Sequence, residues 1–553
     1  MKLEIFDRHY SDYHWIDDDG RKINSPCPIK RKLFDGDKYS SGIIKLSSKY
    51  RAEQMSGVLH LTGNTHGRHK GKMLYICYPN DRCLPAFLVP YQNKKLTFSK
   101  HKVDVYVQFE FIEWNNCHPL GRLTNTIGVV SDMNAYAEYQ LICNDLNQPI
   151  QKLTKKISVS IQQSETDISY TEYKLEDRTT QEWNIFTIDP EGCLDADDAM
   201  SVKTLANNRY VISTYISAVP LVIDKLKLWE EINKDLERVS TIYFPNKRLP
   251  MIPKQLSEGL CSLLTGCKRP ALAMDLLVDE GKIVDVTFVP VLVLVSKNYV
   301  YESSELLCDK DYHRIKDLLI LTNNDNKYKK SIKDSHDVVE YLMLMMNHQS
   351  GIKLLLKNGI FRKFKGSDKD VSNIDEDLGK FLKTWGSDGG EYTIKTADVS
   401  HDMMPEIVDV YAQVTSPIRR IVDLVNICLL LKEKGVYFSG DEFIEKWSER
   451  IDLINTRMKS IRRVQNEVRL ISLCQESKDS GNMREYNGYI IETELCDRIE
   501  KQINYTVFIK DIGCVSKFRS EKSYLLYKQM KFTIHLFTEK DSLKKKVRVY
   551  PRD

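Results

Sequence analysis

Hydrophobic and polar positions alternate in short runs near both ends of the chain, and recur at helical spacing in its middle. The N-terminal part carries YSSGIIKLSS around residues 40–48, GVLHLTG at 57–63, KMLYICYP at 72–79, LPAFLVPY at 84–91 and VYVQFEFIEW at 105–114. A period of two puts successive side chains on opposite faces of a strand, and Gly, Pro and Asn interrupt the runs. That pattern predicts small antiparallel β-barrels. The C-terminal part repeats it in YNGYIIETEL, NYTVFIKDIG, KQMKFTIHLF and KKKVRVY. In between, VVEYLMLMMNHQSGIKLLLKNG (338–359) and RIDLINTRMKSIRRVQNEVRLISLCQE (450–476) place apolar residues at helical intervals, the second with a basic face. The expected architecture is multidomain α+β. Two N-terminal OB-type barrels span residues 1–80 and 81–165, a large α/β core spans 166–480, and a further OB-type barrel spans 484–553.

Composition narrows the class. A chain of 553 residues, 42% hydrophobic and 29% charged, is a soluble globular profile with room for three or four cores. No stretch approaches the roughly 20 apolar residues that cross a bilayer. The first residues, MKLEIFDRHYSDYHW, are acidic and aromatic, unlike a signal or transit peptide, so an intracellular, cytoplasmic protein is expected; a monomer is a separate expectation. The thirteen cysteines include no CxxC pair, and the nearest neighbours, Cys77/Cys83 and Cys261/Cys267, stand six apart, which points away from structural zinc and disulfides. A net charge of +4 permits a nucleic-acid partner only where the basic residues cluster. Aromatics on small barrels can stack nucleobases, although for each of Tyr75, Tyr78, Phe109 and Trp114 filling a barrel interior is the simpler reading.

The densest chemistry lies between Trp183 and Val202. An apolar strand (Ile185, Phe186, Ile188) runs into Asp189-Pro190, Gly192 permits a sharp turn, and Asp195, Asp197 and Asp198 follow within four residues. Carboxylates so close repel one another and raise each other's pKa unless a cation offsets them. An all-oxygen donor set suits Mg²⁺, with Mn²⁺ as a substitute. Taken alone, the same Asp-x-Asp-Asp is equally a solvated acidic turn.

Ile188-Asp189 and Asp195-Ala196-Asp197-Asp198-Ala199 resemble, position for position, the acidic signature of the RNase II/RNase R (RNB-domain) exoribonucleases. YFPNKRLPMIPKQLSEGLCSL (243–263), SKNYVYESSEL (296–306), DVVEYLMLMMN (337–347) and YAQVTSPIRRIVDLVN (411–426) resemble further blocks of that family, in the same order. The flanking barrels resemble its two cold-shock domains and its C-terminal RNA-binding OB-fold. The layout is similar to the eukaryotic exosome-type branch without a PIN domain. In place of the family's His-Ile-Ala-Asp strand stands Tyr215-Ile216-Ser217-Ala218, and after Arg420 come Ile421, Ile427 and Cys428 where the family has Tyr and His-Arg.

The resemblance implies a processive 3′→5′ exoribonuclease that hydrolyses single-stranded RNA to nucleoside 5′-monophosphates with Mg²⁺. It implies Asp189, Asp195 and Asp198 as metal ligands, Asp197 as a further catalytic carboxylate and Arg419 as the phosphate clamp. Tyr243 and Tyr301 would stack the last nucleotides, with Glu340 and Arg420 beside the substrate. Lys459, Arg462, Arg463 and Arg469 either line the RNA route or form a solvated helix face. Association with an RNA-decay complex is a further expectation. The alternative is an RNB-type RNA-binding protein that no longer cleaves.

Overall fold

The computed structural model describes residues 1–23, 27–40, 42–92, 102–163, 169–323, 328–363, 374–375, 378–379, 381–382, 390–394, 410–479, 484–495, 502–539 and 542–552. The segment SHDMMPEIVDV, in which the family's His-Phe-Gly is not recognisable, lies outside them except for its last residue. The chain divides into two compact units, one of residues 1–147 with 462–553 and one of residues 148–461.

The first unit holds three antiparallel-rich sheets. Strands Lys2–Ile5, Tyr13–Ile16, Lys22–Ile23, Lys38–Ser40 and Ile43–Leu46 make the first. The second begins at Met55–Leu59 and closes on itself, because that strand pairs with both Val105–Glu113 and Lys72–Pro79. The boundary expected at residue 80 therefore falls inside a barrel, and the sheets change over between Leu46 and Met55. One apolar core also serves both sheets: Phe34 stacks on Phe87 (5.8 Å) and on Trp114 (5.1 Å). Tyr75, Phe109 and Trp114 are buried in it and fill interior space. The third sheet, Glu485 to Arg552, encloses Ile490, Tyr505, Val507 and Phe532.

The second unit is built on β1 (Ile185–Asp189), β2 (Asp198–Thr204), β3 (Tyr210–Ser217), β4 (Lys268–Asp279) and β5 (Lys282–Val300). β1 lies parallel to the end of β5, β2 runs antiparallel to β1 and β3, and β3 pairs with β4. β4 and β5 form a long hairpin, so the five strands close into a ring. Small and β-branched side chains line the inside, among them Ala199, Ala271, Ala273, Val291 and Val293, which is what a tight barrel accommodates. Arg178, only 2% exposed, enters this core and donates twice to Asp275 (2.8 and 2.6 Å), with Ser213 beside it.

Three long helices follow: α1 (Ser335–Leu354), α2 (Ile421–Glu433) and α3 (Ile451–Asp479). Asp334 caps α1 by accepting from the Asp337 amide, and the helix stops before Asn358, whose φ of +54° is left-handed. It is thus shorter than the periodicity of 338–359 predicts. α3 begins in the second unit and continues into the first. No disulfide joins the described cysteines, and among the described residues no helix is long and apolar enough to cross a membrane.

Candidate active site

β1 delivers Asp189 at its last position, and β2 starts on Asp198, so the intervening turn brings the acidic residues to one end of the barrel. Gly192 has φ +74°, the left-handed backbone that a glycine adopts without strain. The turn is pinned from a neighbouring segment. Ser262 Oγ accepts from the Ala196 amide (2.9 Å), and the Leu263 amide donates to the Ala196 carbonyl (2.9 Å). With Ala196 buried, its neighbours Asp195 and Asp197 are held apart in different surroundings.

Asp197 is 3% exposed; its Oδ1 accepts from the Ile418 amide (2.8 Å), and its Oδ2 lies 3.2 Å from Arg419 Nε. That Oδ2 is buried with no well-aligned hydrogen bond among the described residues, and the close charge pair with Arg419 compensates it. Burial pushes the Asp197 carboxyl well above its usual range, against the pull of Arg419. Asp198 is pushed up to about 7, first by burial and then by the charge of Asp189. Asp189 is raised as well, by burial and by Asp195, although hydrogen bonds from Thr187 and Cys193 oppose this. Asp195 is gripped by Arg248, which also donates to Glu258 (2.6 Å).

The remaining groups arrive from three directions. Tyr243 sits on the hairpin Ile242–Phe244/Lys247–Leu249, opposite Arg248, and is 41% exposed. The Thr241 amide donates to the Arg419 carbonyl (3.0 Å), tying that hairpin to the Ser416–Arg420 segment. Tyr301 follows the end of β5, and its amide donates to the Asp189 carbonyl (3.2 Å). Its ring stacks on His336 of α1 at 3.9 Å and 5°. All four aspartates, Tyr243, Tyr301, Arg419 and Arg420 line one cavity of about 540 Å³.

Residues 177–318 match the RNB domain. The chain thus contains a stretch that matches this domain. Over 258 residues it is 26% identical to the DIS3-like exonuclease 2 of Schizosaccharomyces pombe, a stretch covering 44% of this chain and 27% of that protein. The chain thus matches about a quarter of that relative's length. Its fold is similar to Mycoplasma genitalium RNase R in complex with ribose methylated single-stranded RNA, with a TM-score of 0.68 at 15% identity, over 99% of this chain and 100% of that one. It is also similar to yeast Ssd1, a pseudonuclease, with a TM-score of 0.61 at 14% identity, over 86% and 66% of the two chains. The shared fold is OB barrels flanking an RNB barrel.

Two expected substrate residues have other partners. Glu340 is exposed on α1, pairs with Lys329 and does not line the cavity. The helical period explains it: Val339, Met343 and Asn347, four apart, form the face that does line the cavity, and Glu340 points about 100° away. Arg420 lines the cavity, yet its guanidinium donates to Asp423 (2.8 Å) and Thr415 (3.4 Å). It braces the segment that presents Arg419.

The donors of the RNB domain fit a hard divalent cation by chemistry. Asp189 and Asp198 are carboxylates close enough that the charge of Asp189 raises the proton affinity of Asp198, and Asp197 Oδ2 is buried without a hydrogen bond. Among the described residues, however, no three acidic, His or Cys side chains converge as a ligand group, and Asp195 is turned to Arg248. Arg248, His336 and Asn347 were not singled out in the sequence. Asn347 accepts from the Val414 amide (2.8 Å) and donates to Tyr411 Oη (2.9 Å), fixing the strip that leads to Arg419. A lone Asn within the apolar LMLMMNH run was the available signal, because a buried amide must find partners.

Proposed function

We propose that this RNB-domain protein is a processive 3′→5′ exoribonuclease that hydrolyses single-stranded RNA to nucleoside 5′-monophosphates. One observation carries the reading: Asp189, Asp195, Asp197, Asp198, Arg419, Tyr243 and Tyr301 all line a single cavity. Tyr243 and Tyr301 stack the terminal bases, which every nucleobase permits through its π-face. Arg419, nearly half exposed and fixed at Nε by Asp197, offers its terminal nitrogens to the scissile phosphate. Asp197 keeps that guanidinium in place and, through the Ile418 amide, the backbone that carries it. Asp189, Asp198 and Asp195 would hold Mg²⁺ (or Mn²⁺), with Asp195 exchanging its Arg248 partner for the ion. When bound, such an ion lowers the pKa of attacking water and offsets charge on the leaving oxygen. A cytoplasmic location and association with an RNA-decay complex belong to the same proposal.

Digestion of end-labelled single-stranded RNA with Mg²⁺ tests it. The 3′-labelled strand is expected to release labelled mononucleotide at once, and the 5′-labelled strand to pass from full length to a short end product without a ladder of intermediates. Intact RNA that is bound but uncut would support a second reading, an RNA-binding RNB domain without cleavage. The grip of Arg248 on Asp195 and the fold shared with the pseudonuclease Ssd1 favour that alternative.

Metal binding has a readout of its own. At 100 times its Kd a ligand adds about 2.7 kcal/mol to folding stability, so Mg²⁺ is expected to raise Tm by a few degrees. Changing Asp189 and Asp198 together to Asn is expected to abolish the Mg²⁺ response without lowering the metal-free Tm, because it removes a repulsive buried pair. A wild-type Tm indifferent to Mg²⁺ would refute the metal assignment.

A further inference from the structure

We infer that the first unit carries a phosphate-binding pocket built from residues that the proposed catalytic cavity does not use. A cavity of about 310 Å³ opens beside the helix Met133–Cys143, between α3 and the lysines that lead into the final strand. Its floor is aromatic: Tyr106 and Tyr139 stack at 4.3 Å and 20°, and both are almost fully buried. The Tyr106 hydroxyl lines the cavity and, among the described residues, has no hydrogen-bond partner. A buried hydroxyl left without a partner is costly, so one that ends in a cavity points to a ligand that completes it.

The charges around that hydroxyl give the ligand's sign. Lys544, Lys546 and Arg463 line the cavity, against Glu467 alone among the lining residues. Glu467 is engaged by the Tyr136 hydroxyl (2.7 Å), and Glu539, close by in sequence, pairs with Lys546. The half-buried Lys544 ammonium donates to the Asn80 carbonyl (2.5 Å), a neutral acceptor. Arg8, whose field reaches Lys544, likewise donates to the carbonyls of Pro79 (2.7 Å) and Asp81, and its Nη1 is buried without a partner. Burial, and after it the neighbouring charges of Arg8 and Lys546, hold the Lys544 ammonium below its ordinary pKa.

A half-buried Lys544 that meets a carbonyl rather than a carboxylate, lining the same cavity as an unsatisfied hydroxyl, calls for an anion with several acceptor oxygens. A tetrahedral phosphate group supplies one negative charge and two non-bridging oxygens as a diester, up to two charges and three such oxygens as a monoester, and spreads them toward donors from different elements, as Lys544, Arg463 and Tyr106 are. A carboxylate has lone pairs enough but holds its two oxygens in one plane, so it matches donors arriving from three elements less well. The phosphate has two sources: a free phosphate monoester, or the backbone of an RNA strand.

Titration of the full chain in EDTA, where metal-dependent cleavage is off, tests the pocket with three probes: inorganic phosphate, uridine 5′-monophosphate and a single-stranded oligouridylate. An Arg419→Gln background separates it from the proposed catalytic cavity. Saturable binding of either small probe, weakened about tenfold or more by Tyr106→Phe and by Lys544→Gln, is expected if the group is free. Loss confined to the oligonucleotide, with the salt slope reduced by about one, assigns the pocket to the RNA backbone and equally supports it. Equal affinity of the parent and both variants for all three probes overturns the inference. Tyr106→Phe removes a single oxygen and serves as the variant least disturbing to the fold; Arg463→Gln replaces Lys544→Gln if the latter fails to fold by circular dichroism.

Discussion

Asp197→Asn is expected to lower RNA hydrolysis by about 10²-fold or more while leaving RNA affinity within a few-fold. The substitution preserves volume and the acceptor that the Ile418 amide needs. It replaces the oxygen beside Arg419 Nε with an amide or removes its charge, so the guanidinium loses the partner that aims it. Stability should move the other way. The native Asp197 carboxyl is raised above its unfolded pKa, so its ionised form costs stability once pH exceeds that unfolded value. Neutral Asn carries no such cost, and the variant's Tm at pH 8 is expected to equal or exceed that of the parent. Single-turnover digestion, gel-shift titration and thermal melting together separate a functional carboxylate from a structural one. Unchanged hydrolysis would remove Asp197 from the mechanism.

Arg178→Met is expected to destabilise the second unit by about 3–5 kcal/mol, the effect of leaving one member of a buried ion pair uncompensated. Asp275 then faces Ser213 without its cation, and the ring of Trp183, 4.0 Å from the guanidinium carbon, loses its cation–π partner. Removing both charges, as Arg178→Met with Asp275→Leu, is expected to recover most of the loss, since an apolar pair of similar volume carries no unpaired charge into the barrel. Urea unfolding monitored by tryptophan fluorescence measures this. A single variant within about 1 kcal/mol of the parent would mean that water reaches Asp275 and screens it.

The contrast between these two sites shows what kind of information the chain carries in linear form. Asp189 through Asp198 lie within one strand–turn–strand, where carboxylates, Pro190 and Gly192 are neighbours in sequence and their chemistry is local. The pair of Arg178 and Asp275 joins residues 97 positions apart, and no period in either segment announces it. Arg248 lay inside a block already aligned with the family, yet its grip on Asp195 depends on the hairpin that sets it opposite Tyr243. Glu340 shows the converse: its place in a matched segment said nothing of which way α1 turns it, and packing turned it to Lys329.

The sequence by itself determined the acidic cluster and most of the strands and long helices, because periodicity and motif spacing are properties of short stretches, and its resemblance to the RNB family pointed to Tyr243, Tyr301 and Arg419. Only the tertiary structure decided that β4 and β5 close a five-stranded ring, that the second N-terminal barrel begins at Met55, and which partner holds each aspartate. Those outcomes depend on hydrogen bonds and burial between segments far apart in the chain. The raised proton affinity of Asp189, Asp197 and Asp198 follows from the same cause: spacing made them neighbours, and burial between segments distant in the chain raised it.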